Sequence, residues 1–373
     1  MPTRPILFIL GTRSETIKCL PVIRALEQEF PQTFVRIGAT GQHAILFNQI
    51  AEIEGLRPAW NLESMSPRHV VHYLIGKMIG DLEGPIRRED PALVAVCGDS
   101  ATALATSITA HYSGIPLAHL EAGLRGTKAG LPYPEEATRK MISDAARWHF
   151  APSEAARENL LREGIDAESI FVCGEPGVDA LAEKVAADPE QCDDPELRWL
   201  DWDKPIALST VVRRENHGDA GYAICEALIE SSRRHPGVQF IHVNHLNPHL
   251  LETFWSALKN KDNMGVTSPL PRNVFIHLLR RATFVITDSG GVQEEASALG
   301  VPIVSLRACA DSGRVMGKAP IIEAGNDREA IQGAIAKALG LGLGQARPAV
   351  LSDVQSGAAW KIAEQMSLIH NQA

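Results

Sequence analysis

Acidic side chains directly follow two apolar runs in the first half of the chain. Asp99 comes just after Leu93–Cys97, and Glu121 follows Pro116–Leu120. Ligands bind beyond the carboxyl ends of strands in open parallel sheets, so we expect both carboxylates in one site. Burial at a strand end would raise their pKa values and suit them to proton transfer. The spacing therefore predicts an acid–base centre.

Further charged residues cluster at predicted helix starts. Glu135 and Glu136 open a helix, although for Glu136 and Glu15 a plain capping role is the favoured interpretation. The Gly11–Glu15 turn could bind an anion or be an ordinary strand-to-helix connection, and it contains no dinucleotide-binding glycine motif. The expected cations of the acid–base centre are Arg13, Lys18, Arg125 and Arg139.

The second half carries a different set of polar residues. Phe284–Thr287 runs into Asp288-Ser289-Gly290-Gly291, whose small residues would expose backbone N–H groups to a diphosphate. An acidic residue one turn into the helix would then accept hydrogen bonds from ribose hydroxyls. This turn differs from a Walker phosphate-binding loop because it lacks the Lys-Ser/Thr ending of that motif. Arg213 and His245 follow two other strands of this half. For His242 and His245, a hydrogen-bonding or phosphate-facing role is favoured over a role as a pair of metal ligands.

The elements that position these residues alternate between short apolar runs and amphipathic stretches. Continuous apolar strands indicate burial on both faces, hence two doubly wound α/β domains facing each other across a cleft. Residues 186–204 fit a domain boundary or a surface excursion, and the glycine-rich run 340–344 is expected to be a mobile loop. The predicted strands are Ile6–Leu10, Phe34–Ala39, Leu93–Cys97, Pro116–Leu120, Trp148–Ala151, Phe171–Cys173, Ile206–Thr210, Gln239–Val243, Val274–Ile276, Phe284–Thr287 and Val301–Leu306.

Composition narrows the class of protein. The 373 residues carry a net charge of −9 without a basic block, which excludes a general attraction to nucleic acid. The longest apolar runs are too short to span a bilayer, and the first residues lack a signal-peptide cleavage region, so we expect a cytoplasmic protein. Six scattered cysteines predict buried free thiols rather than disulfides or a zinc site.

The motifs, in order, are GTRSETIK, TGQH, GDSATALA, HLEAGLRG, PYPEEATRKMISD, RREN, HLNP and TDSGGVQEEASALG. Together they resemble the non-hydrolysing UDP-N-acetylglucosamine 2-epimerases. The resemblance implies a glycosyltransferase-B type fold of two Rossmann-like domains. We expect residues 1–175 with 356–373 to form a catalytic domain and 176–355 a nucleotide-binding domain. The last helix, Gly357–His370, would cross back to the first domain.

The resemblance also implies a reaction, which is inversion at C2 of a UDP-N-acetylhexosamine. Anti elimination of UDP gives a 2-acetamidoglucal, and re-addition follows with the opposite configuration. It implies a UDP-N-acetylhexosamine as the substrate, no metal or redox cofactor and a homodimer. The matching proton-transfer residues are Asp99, Glu121 and Glu135, assisted by Arg13 and Lys18. The matching substrate-binding positions are Arg139, Arg213, His245, Ser289, Gly290, Gly291 and Glu295, together with Gln42 and His43, which lie near a regulatory site or in the active-site wall.

The sequence departs from the family pattern in three places. Val212 replaces a histidine before Arg-Arg-Glu, a role that His217 could take over. The loop 307–314 lacks the Thr-Glu-Arg-Pro run, and Arg314 is a candidate substitute for its arginine. Gly174-Glu175-Pro176-Gly177 replaces Gly-Asn-Thr. The alternatives left open are a hydrolysing enzyme that releases UDP, a glycosyltransferase and a non-catalytic sugar-nucleotide sensor.

Overall fold

The computed structural model describes residues 4–62, 64, 70–187, 193–244, 248–259, 261–307, 309–314, 317–343 and 357–372. Two compact units make up the chain. The first comprises Met1–Ala180, Cys309–Val315 and Gln355–Ala373, and the second comprises Leu181–Ala308 and Met316–Val354. The stretch 186–204 therefore belongs to the second unit.

The first unit contains the strands β1 (Ile6–Leu10), β2 (Val35–Ala39), β3 (Trp60–Asn61), β4 (Leu93–Cys97), β5 (Leu117–Leu120), β6 (Arg125–Gly126), β7 (Trp148–Ala151) and β8 (Ile170–Val172). Seven of these strands, counted within the described residues, form a parallel sheet with the order β3-β2-β1-β4-β5-β7-β8. Successive side chains of β1 enter the cores on opposite faces, Phe8 on one and Leu7 on the other. Burial on both faces explains why the strand sequence is uninterrupted by polar residues.

Helices connect these strands and cover both faces of the sheet. They are α1 (Arg13–Glu29), α2 (Ala44–Glu54), α3 (Val71–Glu89), α4 (Ala101–Tyr112), α5 (Glu135–Ala145), α6 (Glu154–Arg162) and α7 (Pro176–Ala186). The predicted site residues of this half lie at strand-to-helix connections or, for Lys18 and Arg139, within the first two turns of the following helix. This is where a doubly wound sheet leaves room for a ligand.

The second unit repeats the arrangement with the strands β9 (Ile206–Thr210), β10 (Gln239–Val243), β11 (Met264–Thr267), β12 (Phe284–Thr287), β13 (Ile303–Ser305) and β15 (Ile321–Glu323). Over the described residues they form a parallel sheet with the order β11-β10-β9-β12-β13-β15. Its helices are α8 (Asp219–Arg234), α9 (Pro248–Leu258), α10 (Arg272–Arg281), α11 (Gly290–Ala298) and α12 (Arg328–Leu343). Two doubly wound units confirm the predicted fold class.

Two elements of the first unit come from later in the chain. The short strand β14 (Asp311–Ser312) pairs antiparallel with β6. The helix α13 (Ala358–Asn371) packs against α1 and adds Ile362 and Met366 to the core under β1. The predicted return of the last helix to the first domain is therefore confirmed.

Two sequence predictions about elements were wrong. Val274–Ile276 lies inside α10, where Val274 and Ile276 are buried helix positions, and the strand of this region is β11. Residues 340–343 of the glycine-rich run continue α12 instead of forming a mobile loop. Five of the six cysteines lie among the described residues, and all five are buried free thiols, as predicted. In the described part of the chain, no helix is both long and apolar enough to cross a bilayer.

Candidate active site

The connection between β1 and α1 is closed by a capping box. The Glu15 carboxylate accepts hydrogen bonds from the backbone N–H groups of Gly11 and Thr12 at 2.7 and 2.9 Å, and Thr12 Oγ1 accepts one from the Glu15 N–H. These bonds confirm the capping role expected for Glu15. A Cβ added at Gly11 would lie 1.9 Å from Thr102 Oγ1, so close approach to α4 requires glycine here.

The β1–α1 connection also brings together three of the predicted site residues. Arg13 is the first residue of α1 and is half-buried. The Gln42 side-chain oxygen accepts hydrogen bonds from the Thr102 N–H and hydroxyl at 3.0 and 2.8 Å. The His43 N–H donates to the Gly11 carbonyl at 2.8 Å, and burial lowers the pKa of the His43 imidazole.

Lys18 forms a buried ion pair with Glu121. Its Nζ atom lies 2.7 Å from Glu121 Oε1 and 3.4 Å from Glu175 Oε1, and Lys18 and Glu175 are almost fully buried. Glu121 has a φ of 62°, a left-handed conformation that is rare for a residue with a side chain. Strained backbone of this kind concentrates at functional sites, because the surrounding structure must hold it. Glu175 is a contact of the site that the sequence did not predict as a site residue.

Asp99 is paired with Arg139, a buried residue of α5. Arg139 Nε lies 2.7 Å from Asp99 Oδ2, and Arg139 Nη1 lies 2.9 Å from Asp311 Oδ1. Burial would raise the pKa of Asp99, but the charge and hydrogen bond of Arg139 and the charge of Arg314 outweigh it, so the pKa lies below its usual range. The expected rise in the pKa of Asp99 was therefore wrong.

The two acidic residues at the start of α5 differ in their surroundings. Glu136 is buried, and its Oε2 accepts a hydrogen bond from the Gly126 N–H at 2.8 Å, so it holds the backbone of β6 instead of capping its own helix. Glu135 is half-buried, and within the described residues its Oε2 atom is buried without a hydrogen-bond partner. An unpaired carboxylate oxygen is available to a substrate or to a proton.

In the second unit, the connection after β12 opens a helix suited to an anion. Ser289 caps α11, since its hydroxyl accepts from the Val292 N–H at 3.5 Å, and α11 begins at Gly290. The first N–H groups of a helix have no intrahelical partners and carry its positive dipole end. A Cβ added at Gly291 would meet no atom within 4 Å, so one side of this turn is open.

Asp288 anchors the loop that carries Val212 and Arg213. Its fully buried carboxylate accepts hydrogen bonds from the Val212 N–H, the Arg213 N–H and Asn216 Nδ2 at 2.9, 3.0 and 2.8 Å. Arg213 Nε also donates to the Asp288 carbonyl at 3.1 Å. Burial raises the pKa of Asp288, and the bonds from Asn216 and the loop partly offset this. One feature of the sequence marks this residue, which is a carboxylate directly after a buried strand.

The remaining predicted residues of the second unit have distinct environments. Glu295 forms an ion pair with Arg272, with 2.7 Å between Oε1 and Nη1 and 14% exposure of each side chain. His242 is buried, hydrogen-bonded to Ser209 Oγ at 2.8 Å and stacked on Phe254, which confirms a hydrogen-bonding role. His245 lies outside the described residues.

Comparison with known proteins gives a consistent result. The sequence matches the family described as UDP-N-acetylglucosamine 2-epimerase over residues 25–364. A probable UDP-N-acetylglucosamine 2-epimerase of Ralstonia nicotianae is 36% identical over 311 residues, 82% of each chain. The UDP-N-acetylglucosamine 2-epimerase of Yersinia pestis is 34% identical over 340 residues, 90% of each chain. The crystal structure of the UDP-GlcNAc 2-epimerase of Neisseria meningitidis, bound to UDP-GlcNAc, has a TM-score of 0.85 and 26% identity, covering 97% of this chain and 99% of that one. The likeness confirms the glycosyltransferase-B type of fold.

Proposed function

Since the chain belongs to the UDP-N-acetylglucosamine 2-epimerase family, we propose that it inverts C2 of a UDP-N-acetylhexosamine, with UDP-GlcNAc as the first candidate. The observation that carries this proposal is a pair of partly buried carboxylates in the first unit. Asp99 and Glu121 follow neighbouring strands, and each has a cationic partner, Arg139 and Lys18 respectively.

The proposed reaction has two halves that mirror each other. A carboxylate removes the C2 proton, the electron pair forms the C1–C2 double bond, and the C1–O bond breaks to release UDP. UDP oxygen then bonds again to C1, while a carboxyl group delivers a proton to the opposite face of C2. Two proton-transfer groups are needed, and Asp99, Glu121 and Glu135 are the candidates.

The second unit supplies the groups proposed to hold UDP. The start of α11 presents Ser289, Gly290 and Gly291, where N–H groups suit the diphosphate. Arg213, fixed by Asp288, adds a cation. The Glu295 carboxylate would accept hydrogen bonds from the ribose hydroxyls, and its ion pair with Arg272 would hold it in place.

The test is conversion of UDP-GlcNAc in heavy water, followed by NMR. The proposal predicts UDP-ManNAc and deuterium at C2 of both sugars. Free UDP that accumulates in proportion to free sugar would instead indicate a hydrolysing enzyme. If the chain binds UDP-GlcNAc but produces neither epimer nor deuterium with any UDP-N-acetylhexosamine, the epimerase assignment fails.

Glu121→Gln sharpens the test because glutamine keeps the shape of the side chain but exchanges no carboxyl proton. We expect turnover to fall by about 10²- to 10⁴-fold while calorimetry gives nearly unchanged UDP binding. Glu83→Gln, an exposed position on α3, is the matched control and should be fully active. Normal turnover of Glu121→Gln would remove Glu121 from the proton-transfer residues.

Two expectations about the state of the protein accompany this proposal. We propose a homodimer, supported by the resemblance to the family, and a cytoplasmic location, supported by the acidic composition and by a nucleotide-sugar substrate. Light scattering should give twice the mass of one chain. A monomer that remains fully active would contradict the dimer.

A further inference from the structure

The segment 309–314 follows the second-unit strand β13 in sequence but is built into the first unit. Its strand β14 pairs with β6, and the Thr127 N–H donates to the Ala310 carbonyl at 3.1 Å. The Ser153 hydroxyl donates to the Gly313 carbonyl at 2.6 Å. Hydrogen bonds to its backbone at both ends therefore fix the position of this segment in the first unit.

This segment places the charged side chains of Asp311 and Arg314 between two ion pairs described above, Asp99 with Arg139 and Glu121 with Lys18. The Asp311 side chain is fully buried, and its two oxygens lie 2.9 Å from Arg139 Nη1 and 2.8 Å from Arg314 Nε. Arg314 Nη1 in turn lies 3.5 Å from Glu121 Oε1. Alternating charges thus run without a break from Asp99 through Arg139, Asp311 and Arg314 to Glu121.

The connection matters because Asp99 and Glu121 are both candidates for proton transfer at C2. When such a carboxylate gains a proton it loses one negative charge, while its arginine or lysine partners stay cationic. An arginine that is bonded on its other side to a buried carboxylate keeps its place through that change. Asp311 gives Arg139 and Arg314 this second bond, so one residue fixes an arginine beside each carboxylate.

We propose that Asp311 and Arg314 are positioning residues of the epimerisation, which hold Glu121 and Asp99 at a fixed separation and orientation. The inference rests on the proposed function. Arg314 acts through Glu121, and Asp311 acts through Arg139 and Arg314. The loop is one of the places where this chain departs from the family pattern, so we expect the device to belong to this chain and to relatives that share Asp311 and Arg314.

The experiment compares Arg314→Gln, Arg314→Lys and the control Arg87→Gln, an exposed arginine of α3. Glutamine removes the charge, so kcat should fall by about 30- to 100-fold, a size typical of misplaced catalytic groups. Lysine keeps the charge but lacks the forked guanidinium, so kcat should fall by only about three- to tenfold. KM should stay within about threefold in both, because the effect is on the reaction rather than on substrate binding. Arg87→Gln should behave as the wild type.

Asp311→Asn gives an independent arm. It should lower kcat with KM unchanged, and the double variant with Arg314→Gln should be little slower than the slower single variant, because both break one network. Should Arg314→Gln or Asp311→Asn fail to fold, Arg314→Lys alone decides through its graded loss of kcat.

Three results overturn the inference. They are wild-type kcat in Arg314→Gln, wild-type kcat in Arg314→Lys, or losses of kcat that match falls in melting temperature and are equal for Gln and Lys. If the wild type converts UDP-N-acetylhexosamines while Arg314→Gln is equally active, only this inference fails. If the wild type converts none, the proposed function fails and the inference fails with it.

Discussion

His119 should make the first unit sensitive to mildly acidic pH. It lies on β5 next to the candidate site, is 1% exposed, and its Nε2 lies 2.8 Å from the Gly98 carbonyl oxygen. Burial lowers the pKa of His119 to about 3, against 6.5 for a solvated imidazole. The unfolded chain therefore binds a proton below pH 6.5 that the folded chain does not bind until near pH 3. Stability is present above pH 6.5 and is lost as the pH falls toward 3.

The size of the effect follows from the two pKa values. Each pH unit below 6.5 costs about 1.4 kcal/mol once the unfolded imidazole is protonated, so about 2 kcal/mol is lost between pH 7.5 and pH 5. His119→Gln cannot take up that proton, and its side-chain amide can still donate to the Gly98 carbonyl. The variant should therefore lose about 2 kcal/mol less than the wild type over the same interval.

The assay is native-state hydrogen exchange of peptides that cover β5, at pH 5, 6, 7 and 7.5. It measures the free energy of opening locally and does not require the whole chain to unfold in one step. Carboxylates and other histidines contribute equally to both proteins, so the difference isolates His119. His111→Gln, at an exposed position on α4, controls for the substitution itself. Equal losses in the wild type and His119→Gln would refute the reasoning.

Two further substitutions test the backbone of the sites. Asp288→Asn places an amide NH₂ group opposite buried hydrogen-bond donors such as Asn216 Nδ2, so we expect the free energy of unfolding to fall by about 2–4 kcal/mol. The melting temperature should be lower, and calorimetry should show weaker UDP binding. An unchanged melting temperature would show that the loop does not depend on this carboxylate. Gly123→Ala forces a side chain onto a φ of 84° with its Cβ 2.3 Å from the Ala156 carbonyl oxygen, and should cost about 3 kcal/mol or more. Gly114→Ala, with a φ of 68° and open space around it, should cost only about 1 kcal/mol, and equal melting temperatures of the two variants would contradict the steric argument.

Buried strands could be predicted almost to the residue. Ile6–Leu10, Leu93–Cys97 and Ile206–Thr210 have the predicted bounds, because burial on both faces requires an uninterrupted apolar sequence. The prediction failed at the edge of the second sheet. The edge strand Met264–Thr267 is short and contains a glycine, while Val274–Ile276 has the apolar character of a strand but lies on the buried side of a helix.

Only those parts of the site that depend on residues adjacent in the sequence could be predicted. Strand-end carboxylates and helix starts are features of neighbouring residues, which is why Asp99, Glu121 and Ser289 could be found. The pKa of Asp99 depends on Arg139, 40 positions away, and Asp311 binds the same arginine from 172 positions away. No periodicity or spacing connects residues that far apart, so the direction of the pKa shift and the role of the 309–314 segment follow only from the folded arrangement.

The packing of α13 on α1 has a consequence for synthesis. Ala359, Ile362 and Met366 complete the apolar core beneath β1, yet they are synthesised long after that sheet, since Ala359 lies 187 positions after Val172, the last residue of β8. Until then the apolar face of α1 that they cover remains exposed, a surface that chaperones bind and that promotes aggregation. We expect nascent chains stalled before residue 357 to be held by chaperones, and the released full-length chain to escape them.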